Sequence, residues 1–432
     1  MNISKDSQEF LENICDNIKY SPIRESVKNE LYEHILEGKK NYIDMGVNNE
    51  EAEKLALEDL GAPNEISKSF NKVYKRKLDW KMLIIFILLT LINILLVTSV
   101  ASEVGSKQYI YRNIAFIIIG FIISILLYFS NYKKMQKIYI GIWILGVLIN
   151  ISNIYLYNND KFDVLNNLHI NLNLISTFLY IISFSSFMNN LNINDKKNLV
   201  ICTTFTALSI LLIYLSNDSM LLITTLIIYM ILSIIKISTL DIKKYKKFVI
   251  PIILVILTIT ILNVAFAKPH LLLRMLNPDL ELSYMQDRLN NSKIIGTSDM
   301  EKNIDTNYYY MNFSNYSFVY LIEQYGKILG IFIVIVFTLL AIKIIFSYKA
   351  VKDGYGKLLI IGLGSFIFIQ SILNLFTILG IINIGITNMP FITHDSANII
   401  IYMISIALIL SIYGQKNFYE ADKLKYNCKQ AV

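Results

Sequence analysis

The sequence predicts an all-α polytopic membrane protein of about ten transmembrane helices, with a small cytosolic N-terminal helical domain. Three observations carry this. Hydrophobic residues make up 54% of the 432 positions, charged residues only 17%, and mean hydropathy is +0.49, a balance too apolar for a soluble chain of this length. From Trp80 onward, apolar runs of roughly twenty residues, the length that crosses a bilayer as helix, recur along the chain. Lysine-rich connections alternate with connections that hold few lysines or arginines.

The head, residues 1–77, is polar and helical in pattern. Phe10, Leu11, Ile14 and Ile18 recur at helical spacing, as do Val27, Leu31 and Ile35. Ala52, Leu55, Ala56 and Leu60 follow an Asn-rich cap and stop at Gly61, and Pro63 with Asn64 restarts a helix through Ile66, Phe70 and Val73. No apolar stretch near Met1 reads as a signal peptide, so the head is expected to stay on the side where it is made.

The transmembrane domain is expected over 78–415, with a cytosolic tail at 416–432. Its spans fall near 81–100, 113–130, 137–157, 168–190, 199–216, 219–238, 248–267, 316–346, 357–380 and 397–414. The segments KVYKRK, NYKKMQK, NDKKN, DIKKYKK, SYKAVKDGYGK and the tail carry the lysines, which places both termini in the cytoplasm. The net charge of +7 is therefore a topology signal, and no nucleic-acid partner is needed to explain it. Cys15, Cys202 and Cys428 have no metal-ligand or disulfide spacing. One connection is long: residues 268–315 form an extracellular loop whose apolar and aromatic residues suggest packing against the membrane face.

Motifs in the second half resemble the SEDS family of shape, elongation, division and sporulation proteins, the FtsW/RodA/SpoVE group. Gln370, Asn374, Gly380, Pro390, Phe391, Ile392 and Thr393 fall at the spacing of a family segment that ends in Pro-Phe-Ile-Ser-Tyr-Gly-Gly. Glu323 and Gly326 resemble the Glu-Glu-Leu-Gly that opens its eighth helix, and Arg274, Pro278, Tyr284, Gln286, Ser292 and Gly296 resemble its long outer loop. In the head, Glu30, His34, Gly46, Ala52, Gly61 and Pro63 look like the HAAS or permease-prefix domain.

The resemblance implies a peptidoglycan glycosyltransferase acting on lipid II, with membrane lipid around it and a class B penicillin-binding protein as partner. In such a reaction a carboxylate takes a proton from the attacking sugar hydroxyl, while cations or a divalent ion such as Mg hold the departing pyrophosphate. No cluster of carboxylates or histidines here has ligand spacing for that ion. The family's essential aspartate lies eleven residues before the glycine of Glu-Glu-Leu-Gly; counting back from Gly326 lands on Asn315. An amide can hydrogen-bond a hydroxyl but has no basic lone pair of carboxylate strength. The family's Gln-Pro-Ser-Glu, at the start of the fourth span, is replaced by INLNLIST, and Tyr-Gly-Gly by His394, Asp395 and Ser396.

Replacement bases are sought at Asp299, Asp305 and Asp395, against the plainer readings of solvated loop acids and a helix N-terminus. Adjacent His394, Asp395 and Ser396 cannot form a nucleophile relay, which needs side chains facing one another across folded space. Glu323, near a membrane helix end, is a functional candidate or a structural hydrogen-bond partner. Arg274 and Arg288 are pyrophosphate clamps or interfacial cations, and Gln286, Gln370, Asn374 and Thr393 complete the substrate-binding positions that the resemblance implies. Three function classes follow: a polymerase with a relocated base, a non-catalytic scaffold or regulator, and a flippase or transporter. The last requires ionisable groups at mid-membrane, and the spans hold almost none.

Overall fold

The computed structural model describes residues 3–19, 24–73, 75–104, 107–158, 170–191, 196–238, 280–298, 313–382, 387–393 and 396–416. Among them the regular structure is helical throughout, and a single isolated bridge joins Met389 to Ile392. The chain divides into two compact units, Met1–Leu78 with residues from Tyr413 onward, and Asp79–Ile412, each taken by itself below.

The head consists of α1 (Lys5–Asp16), α2 (Arg24–Asp44), α3 (Asn49–Leu60) and α4 (Pro63–Val73). Ser4 caps α1 by accepting from the Ser7 amide at 3.2 Å, and Gly61 ends α3 at φ +87°, a conformation that costs glycine nothing. The helices meet through Leu11, Ile14, Ile18, Val27, Leu31 and Ile35, all buried. Removing each such side chain from water stabilises the fold by about 1.5–3 kcal/mol. Inside this core sits an ion pair: Lys39 Nζ lies 2.7 Å from Glu53 Oε2. Glu53 Oε1 also accepts from the Ser4 amide at 2.6 Å and from the Ser7 hydroxyl. Burial alone would raise the Glu53 pKa, but these donors outweigh it and bring it down to about 2.

The membrane unit contains α5 (Trp80–Val104), α6 (Lys107–Phe129), the short α7 (Lys133–Lys137), α8 (Tyr139–Asn158), α9 (Leu172–Asn190), α10 (Lys196–Leu215) and α11 (Ser219–Ser238). From the next described segment onward come α12 (Leu280–Asn291), α13 (Phe313–Tyr325), α14 (Lys327–Ala350), α15 (Gly354–Ile378) and α16 (Ser396–Gly414). Seven of these are long and apolar enough to cross a bilayer, and α10 and α16 contain shorter apolar stretches. Nine of the ten expected runs thus coincide with described helices, and the tenth, 248–267, lies outside the described residues. The run expected as one span over 316–346 is two helices, because Gly326 adopts φ +97° and breaks it.

The helices α9 and α15 are the most buried spans and form the centre of the bundle. Between lipid-soluble helices the hydrophobic effect gives no net attraction, so association rests on close packing and hydrogen bonds. Gly364 on α15 shows the packing: a Cβ there would stand 2.5 Å from the Ile344 side chain of α14. Serines in the centre of α9 are quieted locally, with Ser183, Ser185 and Ser186 donating back to the carbonyls of Leu179, Ile181 and Ile182.

Candidate functional site

Most of the described candidates fall in two sets, the first of them where α13 finishes and α14 begins. The polar helix α12 leads into a strap, residues 292–298, that lies along the α13–α14 corner. Main-chain hydrogen bonds fasten it: Lys327 N to Lys293 O at 3.0 Å, Ile328 N to Ile294 O at 3.2 Å, Gly296 N to Tyr325 O at 3.2 Å and Ser298 N to Glu323 O at 3.0 Å. These satisfy amides and carbonyls that the break at Gly326 leaves without helical partners. The fit leaves no room at the corner, since a Cβ on Gly326 would come within 2.5 Å of Ile294 O.

Beneath the strap, Arg288 Nη1 of α12 is ion-paired with Glu323 Oε1 of α13, and both residues are buried. The Arg288 guanidinium also lies over the Tyr284 ring, 4.8 Å from its centroid. Burial raises the Tyr284 phenol above its ordinary pKa, against the lowering influence of Arg288. Glu323 therefore has a structural partner on a neighbouring helix, and Arg288 is committed to it. Gln286, two residues earlier on α12, fills the space beside Gly380, where an added Cβ would meet Gln286 Nε2 at 2.9 Å.

A second set of candidates surrounds residues 387–393. Phe391 sits at φ +64° and is fully buried against Phe86 and Tyr402, with ring centroids 6.2 and 5.7 Å away. Non-helical backbone inside a membrane protein must have its polar groups satisfied. Asn93, midway along α5, does this, its Nδ2 donating to Phe391 O at 2.8 Å and Thr393 O at 2.7 Å. Asn374 Nδ2 donates to Thr387 O, and Gln370 Oε1 accepts from the Tyr402 hydroxyl. So Gln370, Asn374 and Thr393 are fully buried, Asn374 and Thr393 bound up in this loop and Gln370 bonded to Tyr402 of α16.

Asn315 falls on the first turn of α13. Arg274, Asp299, Asp305 and Asp395 lie outside the described residues, and α16 begins at Ser396, directly after Asp395. Among the described residues no three His, Cys, Asp or Glu side chains come together in a way that would hold a metal ion.

Three features escaped the sequence reading. Asn93 is one; a lone amide midway through an apolar run was its only signal. Another is the ion pair of Asp79 Oδ2 with Lys343 Nζ at 2.7 Å, which joins α14 to the residue before α5. The third occupies the start of α9, where INLNLIST departs from the family pattern: Asn153 Nδ2 donates to Asn173 Oδ1 at 2.8 Å, and Asn150 Nδ2 to Ser176 Oγ at 2.9 Å. Amides and hydroxyls thus line that seam with α8.

Against known proteins, the profile of the cell cycle protein family of FtsW, RodA and SpoVE matches residues 76–417. No curated protein sequence matches. Several solved structures share the fold, among them the following three. A chain from a study of structural coordination of polymerization and crosslinking by a peptidoglycan synthase complex superposes with a TM-score of 0.58 at 12% identity, covering 78% of this chain and 97% of its own. The rod shape determining protein RodA of Thermus thermophilus superposes with a TM-score of 0.54 at 9% identity, covering 78% of this chain and 97% of its own. An Asp-to-Ala mutant of that RodA gives 0.55 at 10% identity, with 78% and 98% covered.

Proposed function

The chain belongs to the cell cycle protein family of FtsW, RodA and SpoVE, and from that premise we propose that it serves peptidoglycan assembly by holding a lipid-linked precursor without itself transferring sugar. The observation that carries this reading is the state of α13. Position 315 is an asparagine, and Glu323, the one acidic residue of that helix, is neutralised by Arg288. Neither group offers a carboxylate free to take a proton from a sugar hydroxyl. The amide-lined start of α9 supports the same reading, since amides and hydroxyls can hold sugar and acetamido groups but supply no general base. A divalent cation would need several hard oxygen ligands, and among the described residues no three His, Cys, Asp or Glu side chains come together to supply them.

The lysine-rich connections support a topology with both termini cytoplasmic and residues 268–315 outside, where a lipid-linked sugar would be met. A class B penicillin-binding protein is the proposed partner, because one chain of similar fold comes from a peptidoglycan synthase complex. The HAAS-like head would then receive a cytoplasmic signal. The experiment is binding of fluorescent lipid II to the purified full chain in nanodiscs, with glycan products assayed in the same samples. Saturable binding without product is expected. Glycan product from the unmodified chain would overturn the reading and direct attention to Asp299, Asp305 and Asp395; absence of binding would overturn it as well.

A further inference from the structure

The strap over the α13–α14 corner ends in a turn with an unusual surface. Ile294 and Ile295 are consecutive and 69% and 72% exposed, on a segment whose main chain is fastened at Lys293, Ile294, Gly296 and Ser298. Large aliphatic side chains held rigidly in water gain nothing from that exposure. Their neighbour explains them. Ile294 O accepts from the amide of Ile328, the second residue of α14, and Ile328 opens a stripe of exposed side chains that continues through Ile331 and Ile335 down that span. The stripe faces lipid, because α14 is among the helices long and apolar enough to cross the bilayer. The turn is thus continuous with a lipid-facing surface and lies at the level where that surface meets the headgroups. Lys293 and Lys327, at the same level, carry the charge that suits lipid phosphates.

We propose that Ile294 and Ile295 form an interfacial wedge, inserted at the headgroup and acyl boundary of the leaflet on the loop side of the bundle. The wedge anchors α12 and its strap to the membrane surface, and through the Arg288–Glu323 pair it holds the end of α13. The occupant of this apolar surface is lipid. The proposal depends on membrane residence alone, so it stands or falls independently of any sugar chemistry.

The test places an environment-sensitive fluorophore at Ile295→Cys in the full chain, with Cys428→Ser removing the tail thiol; Cys15 and Cys202 are buried. Met45→Cys, 77% exposed on the head, is the water reference, and Ile335→Cys, 51% exposed within α14, is the lipid reference. In nanodiscs, the label at 295 is expected to lose fluorescence to lipids brominated near the headgroup and to resist aqueous iodide, tracking the label at 335. Quenching by iodide but not by bromolipid would overturn the wedge. Protection from both quenchers would also overturn it, by showing that protein covers the turn.

Discussion

Each unit of this protein buries an ion pair, and the two are built differently. In the head, Lys39 and Glu53 are only 14 residues apart on adjacent helices, and the carboxylate gains further donors from Ser4 and Ser7. In the membrane unit, Arg288 and Glu323 are 35 residues apart, and the pair is reinforced by main-chain bonds along the strap that leads from α12. The head has water nearby and a hydrophobic core to hold its helices. The membrane unit has a large buried apolar core as well, but between lipid-soluble helices such burial gives no net attraction, so this end of it relies on geometry: a glycine corner, a strap that satisfies the broken helix ends, and a charge pair that ties them. A shared device thus adds to stability in one unit and defines a shape in the other.

Arg288→Ala leaves Glu323 buried without its countercharge, which costs about 3–5 kcal/mol, and is expected to lower the thermal midpoint of the detergent-solubilised protein sharply. Replacing both partners by Met and Leu is expected to restore most of the loss. Lys39→Met in the head is expected to do less harm, since Ser4 and Ser7 still donate to Glu53; hydrogen exchange of α1–α3 reads the difference.

Asn93→Ala comes next. It strands the carbonyls of Phe391 and Thr393, at about 1–3 kcal/mol for a buried unsatisfied group, and is expected to speed proteolysis or exchange within 387–393 while leaving the head unchanged. At the low end, Asn153→Ala removes one interhelical hydrogen bond, for which membrane proteins average about 0.6 kcal/mol. A small shift in thermal midpoint is expected, far below that of Arg288→Ala.

The head also carries a pH signature. The Glu53 pKa is depressed from its ordinary 4.5 to about 2, so its stabilising contribution is complete above 4.5 and is lost as pH falls from there through about 2. Exchange protection of α1–α3 is expected to fall across that window, and Glu53→Gln is expected to remove this dependence. A wild-type profile that stays flat there would show that the hydrogen bonds to Glu53 do not govern its titration.

Much of this architecture was legible because its causes are local. Apolar runs of spanning length placed nine described helices, and the 3.6-residue pattern of Leu11, Ile14, Val27, Leu31 and Ile35 placed the head core. What escaped depends on contacts between distant residues. The largely apolar run 316–346 did not reveal the corner at Gly326, because hydropathy does not report a positive φ. Arg288 and Glu323 each stood out as ionisable groups, but nothing in their neighbours' sequence joins them. Gln370 and Asn374 were readable as polar positions in a span, yet the first is bonded to Tyr402 on another helix, α16, and the second to Thr387 in a loop that folds back beside α15.

Whether the family fold is kept here without the base for sugar transfer is decided by polymerisation of labelled lipid II by the purified chain, alone and with a transpeptidase partner, beside Asn315→Asp. No glycan product is expected from the unmodified chain under either condition, while product from Asn315→Asp would show that only the base had been lost. Glycan strands made by the unmodified chain would contradict that loss.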